Sequence, residues 1–294
     1  MTPSPQPPLA IGPLISAALA RVWHFKLEFG VMWLGYLLSA LILLPYLPEA
    51  LRIEVAVQQG KAAETITGDS GWLAQIGILF ILLTIFQAVL MVLWMRVLRL
   101  GTALAFEGGI KKLALRTFGF IIRVIALLMV LVGLAAIMSI VVQMMVVAVF
   151  GQGTTVQAAA ALRVALVVAL ILFAAITIRI GFTVISPIFD LRVPIERAWA
   201  LVQGNTWRIL AAIFVVCFPI FFAGSLIESA ILRAGSAAQA DGAVFIPGFG
   251  TLLAFEVVDT VINCLEIGLA TAILIEAFER LGAWDRGRIV SEVV

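Results

Sequence analysis

Apolar positions along this chain fall into six long runs, at about residues 29–47, 72–100, 118–149, 162–188, 207–232 and 251–281. A helix needs about 18 apolar residues or more to cross roughly 30 Å of hydrocarbon. Every run meets that length, so the pattern predicts an all-α polytopic membrane protein with six transmembrane helices. The expected organisation is a Pro-rich disordered leader over 1–12, a membrane domain over 13–282 and a short tail over 283–294.

The passage between the fourth and fifth runs, FDLRVPIERAWALVQGNTWR over 189–208, has a different pattern. Pro194 suits a first helical position, and Ile195, Ala198, Trp199 and Val202 recur at helical spacing. A short amphipathic helix on the inner membrane surface is expected. Gly204 and Asn205 both tolerate a left-handed backbone and end it, and Trp207 with Arg208 opens the next span as an interfacial anchor.

Pairing the runs brings out an internal similarity. The even spans end in Phe106-Glu107, Phe189-Asp190 and Phe278-Glu279, and Arg96 and Arg179 each precede their Phe by ten residues. The odd spans follow basic or amphipathic leads at 11–26, 110–116 and 194–203. Three helical hairpins, each launched by a short interfacial helix on the cytoplasmic side, would produce this pattern. Chance similarity of short apolar segments is the rival reading. The outer loop over 48–70 holds a stretch, EALRIEVAVQQG, that fits a short surface helix, and the outer loops near 151–160 and 233–250 are small-residue and polar.

Composition removes the soluble classes. Apolar residues make up 63% and charged residues 12% of the 294 positions, whereas soluble domains carry about 25% charge. The start of the chain lacks the basic residues of a secretory signal. Cys217 and Cys264 lie within spans and read as small core residues, with no disulfide and no metal expected. The net charge of +2 is explained by topology rather than by a nucleic-acid partner. With the N-terminus inside, only Arg52, Lys61, Arg163 and Arg233 of the 19 basic residues fall outside, as the positive-inside rule favours. Both termini are therefore expected in the cytoplasm. Trp23, Trp72, Trp94, Trp199, Trp207 and Trp284 sit at or near span ends, where indole rings favour headgroup depth.

Candidate chemistry lies in the sixth span. Glu256, Asp259, Asn263 and Glu266 are spaced 3, 4 and 3 apart, which places them in one helical sector facing inward. A charged group at mid-bilayer costs about 2.5–3.5 kcal/mol, so it is usually paired, protonated or turned to water. The outer pair, Glu256 and Asp259, is within reach of Arg163 or Arg233, with Glu228 joining them, and an ion-pair network tying hairpins together is expected there. Glu266 stands open between a structural carboxyl and a ligand or proton site. Gln75, Gln87 and Gln143 are candidate interhelical hydrogen-bonding amides, each worth roughly 0.6 kcal/mol. Lys111, Lys112 and Arg116 are placed to hold anionic lipid as well as to satisfy topology.

Enzyme signatures are missing. His24 is the single histidine, and no HExxH, GxSxG or GxxxxGK[ST] pattern occurs. An intramembrane lipid enzyme would rest on the carboxylates of the sixth span alone.

The passage IERAWALVQGNTWRILA over 195–211 resembles a motif of six-span bacterial membrane proteins, the glycerophosphoryl diester phosphodiesterase membrane-domain type and the related YciC-like family. Ala198, Trp199, Leu201, Gly204, Asn205, Trp207 and Arg208 carry the match. The resemblance implies a six-span fold with short inner helices in a bacterial cytoplasmic membrane. In that family the phosphodiesterase activity belongs to a separate soluble barrel, and this chain lacks the roughly 250 residues for one, so catalysis is not carried over. The expected function is a non-enzymatic membrane module, without a cofactor, that binds membrane lipid or a membrane-protein partner through its 194–208 helix. A small transporter or channel using the acidic stripe is the alternative.

Overall fold

A computed structural model describes residues 8–46, 70–150, 171–191, 193–236 and 248–281. Helices dominate, and no strand occurs among the described residues. In chain order they are α1 (Ile11–His24), α2 (Lys26–Leu43), α3 (Ser70–Leu100), the single turn α4 (Thr102–Ala105) and α5 (Gly109–Phe150). Then follow α6 over residues 171–185, α7 (Ile195–Val202), α8 (Thr206–Ser236) and α9 (Phe249–Arg280). Among the described residues, six stretches are long and apolar enough to cross a bilayer: Lys26–Tyr46, Gln75–Leu100, Gly109–Val130, Ile171–Phe189, Thr206–Ala234 and Phe249–Arg280. The protein is an all-α polytopic membrane protein.

The breaks between helices follow local chemistry. Gly101 (φ 80°) and Gly204 (φ 83°) take backbone conformations that Cβ-bearing residues rarely adopt, so α3 and α7 stop before them. Between Gly109 and the third span no Gly or Pro breaker of that kind intervenes. The lead over 110–116, expected as a separate surface helix, is instead the first two turns of α5, a continuous helix of 42 residues. The leader also differs from expectation. Helix α1 begins at Ile11, and Leu9 before it is buried. Residues 1–7, the surface helix expected within 48–70, the loops at 151–160 and 237–247, Arg163 and the tail with Trp284 lie outside the described residues.

The chain forms two compact units. The first takes its described residues from 1–14, 108–212 and 274–294. There α5 packs on the 3-10 turn Ser186–Phe189 that ends the fourth span. Gly119 lies against Pro187, where a Cβ would come within 3.3 Å of the proline ring. Arg123 Nη1 donates to Thr183 O at 2.7 Å and to Ser186 Oγ at 2.8 Å, which satisfies a cation inside the span as intramembrane charge requires. Phe182 and Phe278, both fully buried, meet at 4.9 Å between ring centroids.

The second unit takes its residues from 15–107 and 213–273. Helices α2 and α3 run antiparallel, since Glu28 meets Thr102 and Ser39 meets Gln87. Gln87 is the expected amide link: its Nε2 donates to Ser39 Oγ at 2.9 Å, and its backbone carbonyl accepts from Tyr36 OH at 3.3 Å. Gln75 is exposed, and the side chain of Gln143 is not among those described. Trp94 departs from the interfacial placement expected of it. It is 2% exposed, its ring lies 5.2 Å from Phe29, and its Nε1 donates to Gly268 O at 3.4 Å. A buried indole stays satisfied only with such a partner. Gly268 makes the approach feasible, because a Cβ there would overlap the Phe29 ring. Gly268→Val is therefore expected to lower stability by about 1–3 kcal/mol through overpacking, read as a lower unfolding temperature in detergent. An unchanged temperature would refute this packing account.

Candidate functional site

The junction over 189–208 is wired into its unit by polar bonds. Asp190, in a left-handed conformation (φ 59°) that Asp tolerates, takes both prongs of the Arg116 fork, with Nε to Oδ1 at 3.0 Å and Nη2 on Oδ2. Arg116 is 5% exposed, so this charge is buried and paired rather than displayed for lipid. Pro194 stands one residue earlier than expected, as the extended residue before α7. The apolar stripe of α7 then splits. Ala198 and Val202 are fully buried, while Ile195 and Trp199 remain substantially exposed.

Beyond Gly204 the chain enters α8, and two residues expected to mark a surface helix do something different. Asn205 is fully buried, and its Oδ1 accepts the Leu9 N–H at 2.8 Å. Arg208 Nη1 donates to the Leu9 carbonyl at 3.0 Å. Both backbone groups of Leu9 are thus held from one end of α8, and Arg280 Nη2 adds a bond to Pro13 O at 3.0 Å. Arg179 Nε donates to Thr206 Oγ1 at 3.1 Å, and its guanidinium lies 4.4 Å from the centroid of the Trp199 ring. The left-handed backbone belongs to Gly204, and Asn205 serves as a long-range acceptor. What the junction presents outward is aromatic: Trp199 is 40% exposed and Trp207 58%.

The acidic stripe occupies the most buried of the six spans. Glu256, Asp259 and Glu266 are half-buried, but Asn263 is exposed, so the sector does not face inward along its whole length. Asn263 Nδ2 donates to Asp259 Oδ2 at 2.8 Å on the same helix. Glu228 of α8 lies near enough to Asp259 and Glu266 for their charges to interact. These are interactions between like charges, and the ion pair expected with Arg163 falls on a residue outside those described. Glu266 has one carboxyl oxygen, Oε1, enclosed with no hydrogen-bond partner among the described residues, while its backbone carbonyl lies 3.7 Å from Cys217 Sγ. Arg233 sits on the exposed last turns of α8, and Arg163 lies outside the described residues. Among the described residues no three His, Cys, Asp or Glu side chains are grouped to hold a metal ion.

The spacing of the stripe and the aromatic display at the junction follow from the sequence. The clamp on Leu9 does not, and its one sequence signal is a lone large apolar residue at the end of a Pro-rich stretch. Comparisons with family models, curated proteins and solved structures find no match for this chain.

Proposed function

We propose that the protein is a non-enzymatic module of a bacterial cytoplasmic membrane, with both termini in the cytoplasm, that holds lipid or a membrane-protein partner against α7 and the first turn of α8. The observation that carries this reading is the exposure of Trp199 and Trp207 on a junction that Asn205 and Arg208 tie to the Leu9 backbone. Rigid aromatic anchors lose little conformational freedom on binding, which is why a few of them dominate interfaces. The distribution of Lys and Arg supports the orientation, and the Gly204-Asn205-x-Trp207-Arg208 junction supports kinship with the YciC-like membrane families.

Double replacement of Trp199 and Trp207 by Ala tests the reading. Loss of two anchors costs about 2 kcal/mol or more, so co-purifying lipid or protein should fall about tenfold or more. If both rings serve only to seat the span at headgroup depth, stability drops while the retained material stays unchanged, and the docking reading fails.

A transporter or channel is the second reading, favoured by Glu266 Oε1, which lies inside an apolar span with no hydrogen-bond partner among the described residues. It requires solute or proton flux in liposomes that disappears in Glu266→Gln.

A further inference from the structure

The second unit contains a small cleft of about 190 Å³ at one end of the α2/α3 hairpin. Its walls are apolar, built from Val31, Met32, Leu90, Leu93, Trp94 and Val97. Two polar side chains interrupt them, Glu28 in the first turn of α2 and Thr102 just after α3. Thr102 Oγ1 donates to Glu28 Oε1 at 2.7 Å, which fixes the carboxyl at the end of the cleft. The neighbouring cation does not occupy it, since Lys26 Nζ lies 4.9 Å over the Trp23 ring.

We infer that this cleft is a subsite for a phospholipid whose headgroup ends in a primary ammonium, of which phosphatidylethanolamine is the simplest. The inference rests on the proposal that the protein holds lipid, and it names the class of a lipid held in the second unit, at a place in the chain other than α7 and the first turn of α8. Apolar walls on membrane-spanning helices suit a length of acyl chain and offer water no partners. A packed helix from a partner, about 10 Å across, is too wide for this volume. At the polar end, the Glu28 carboxylate, whose bond with Thr102 is exposed, can take an ammonium in a charge-assisted hydrogen bond and repels a net anionic headgroup. Thr102 takes one lone pair on Oε1 and so sets the direction of the other oxygen.

The test titrates purified, delipidated protein in detergent with an equimolar mixture of phosphatidylethanolamine and phosphatidylglycerol, and counts bound lipids by native mass spectrometry. Wild type should retain phosphatidylethanolamine over phosphatidylglycerol about tenfold, the size of one charge-assisted contact. Glu28→Gln keeps the shape and an oxygen for Thr102, and should bring that ratio close to one. Val31→Trp, at a position 68% exposed and so harmless to packing, should fill the mouth and remove the preferred adduct. Equal retention of both lipids by wild type, or a preference that survives either substitution, overturns the ammonium subsite alone. Retention of neither lipid overturns the subsite together with the lipid arm of the proposed function, and leaves the protein-partner arm to the Trp199 and Trp207 double variant.

Discussion

Replacing Arg96 by methionine is expected to lower stability by about 3 kcal/mol or more, although the two side chains have similar length. Arg96 is 1% exposed, with Nε donating to Ala105 O at 2.7 Å and Nη2 to Leu104 O at 3.0 Å. Those carbonyls close α4, a single helical turn of four residues with too few internal bonds to hold itself. A thioether supplies no donor, so the buried Ala105 acceptor and the partly buried Leu104 acceptor lose this partner, the first at about 1–3 kcal/mol, and the buried arginine's packing and charge are lost with them. Arg96→Lys should fall between, because one ammonium cannot reproduce the planar fork. Thermal unfolding in detergent reads the effect. A methionine variant as stable as wild type would mean that the α4 turn is held by something other than this side chain.

The second large effect is expected at Asn205. Alanine there removes the acceptor for the Leu9 N–H from a fully buried site, at about 2 kcal/mol. The loss should be local as well as global. Arg208 still holds the Leu9 carbonyl, but with the N–H released, hydrogen exchange should accelerate over residues 9–14. Trp199 and Trp207 keep their exposure, but the junction that carries them loses its Asn205 bond to Leu9, so retained lipid or partner should fall as well. Unchanged exchange over 9–14 would show that the Asn205 clamp does not order this segment.

What the sequence made legible was local. Six spans stand out because an apolar run of that length has few other outcomes, and the 3, 4, 3 spacing of Glu256, Asp259, Asn263 and Glu266 requires only helical geometry. Bonds between distant positions were hidden. Trp94 looked interfacial because indoles near span ends usually are, and only Gly268, 174 positions away, gives its Nε1 a buried acceptor. Asn205 next to Gly204 suggested a left-handed helix end, yet its partner lies 196 positions away at Leu9. Glu28 and Thr102 meet across 74 positions of chain, so the one polar feature of the cleft left no local mark. The split of the α7 stripe was also invisible, since periodicity assigns Ile195 and Trp199 to the same face as Ala198 and Val202 and cannot say how much of that face is covered.

The most direct test of the central proposal is native mass spectrometry of the protein extracted with its surrounding bilayer, because it presupposes no substrate. The account predicts a discrete added mass, from a retained phospholipid or a protein subunit, that is diminished in the Trp199→Ala, Trp207→Ala double variant. A bare protein with nothing bound, in wild type and variant alike, would contradict the proposal that this module exists to hold lipid or a membrane partner.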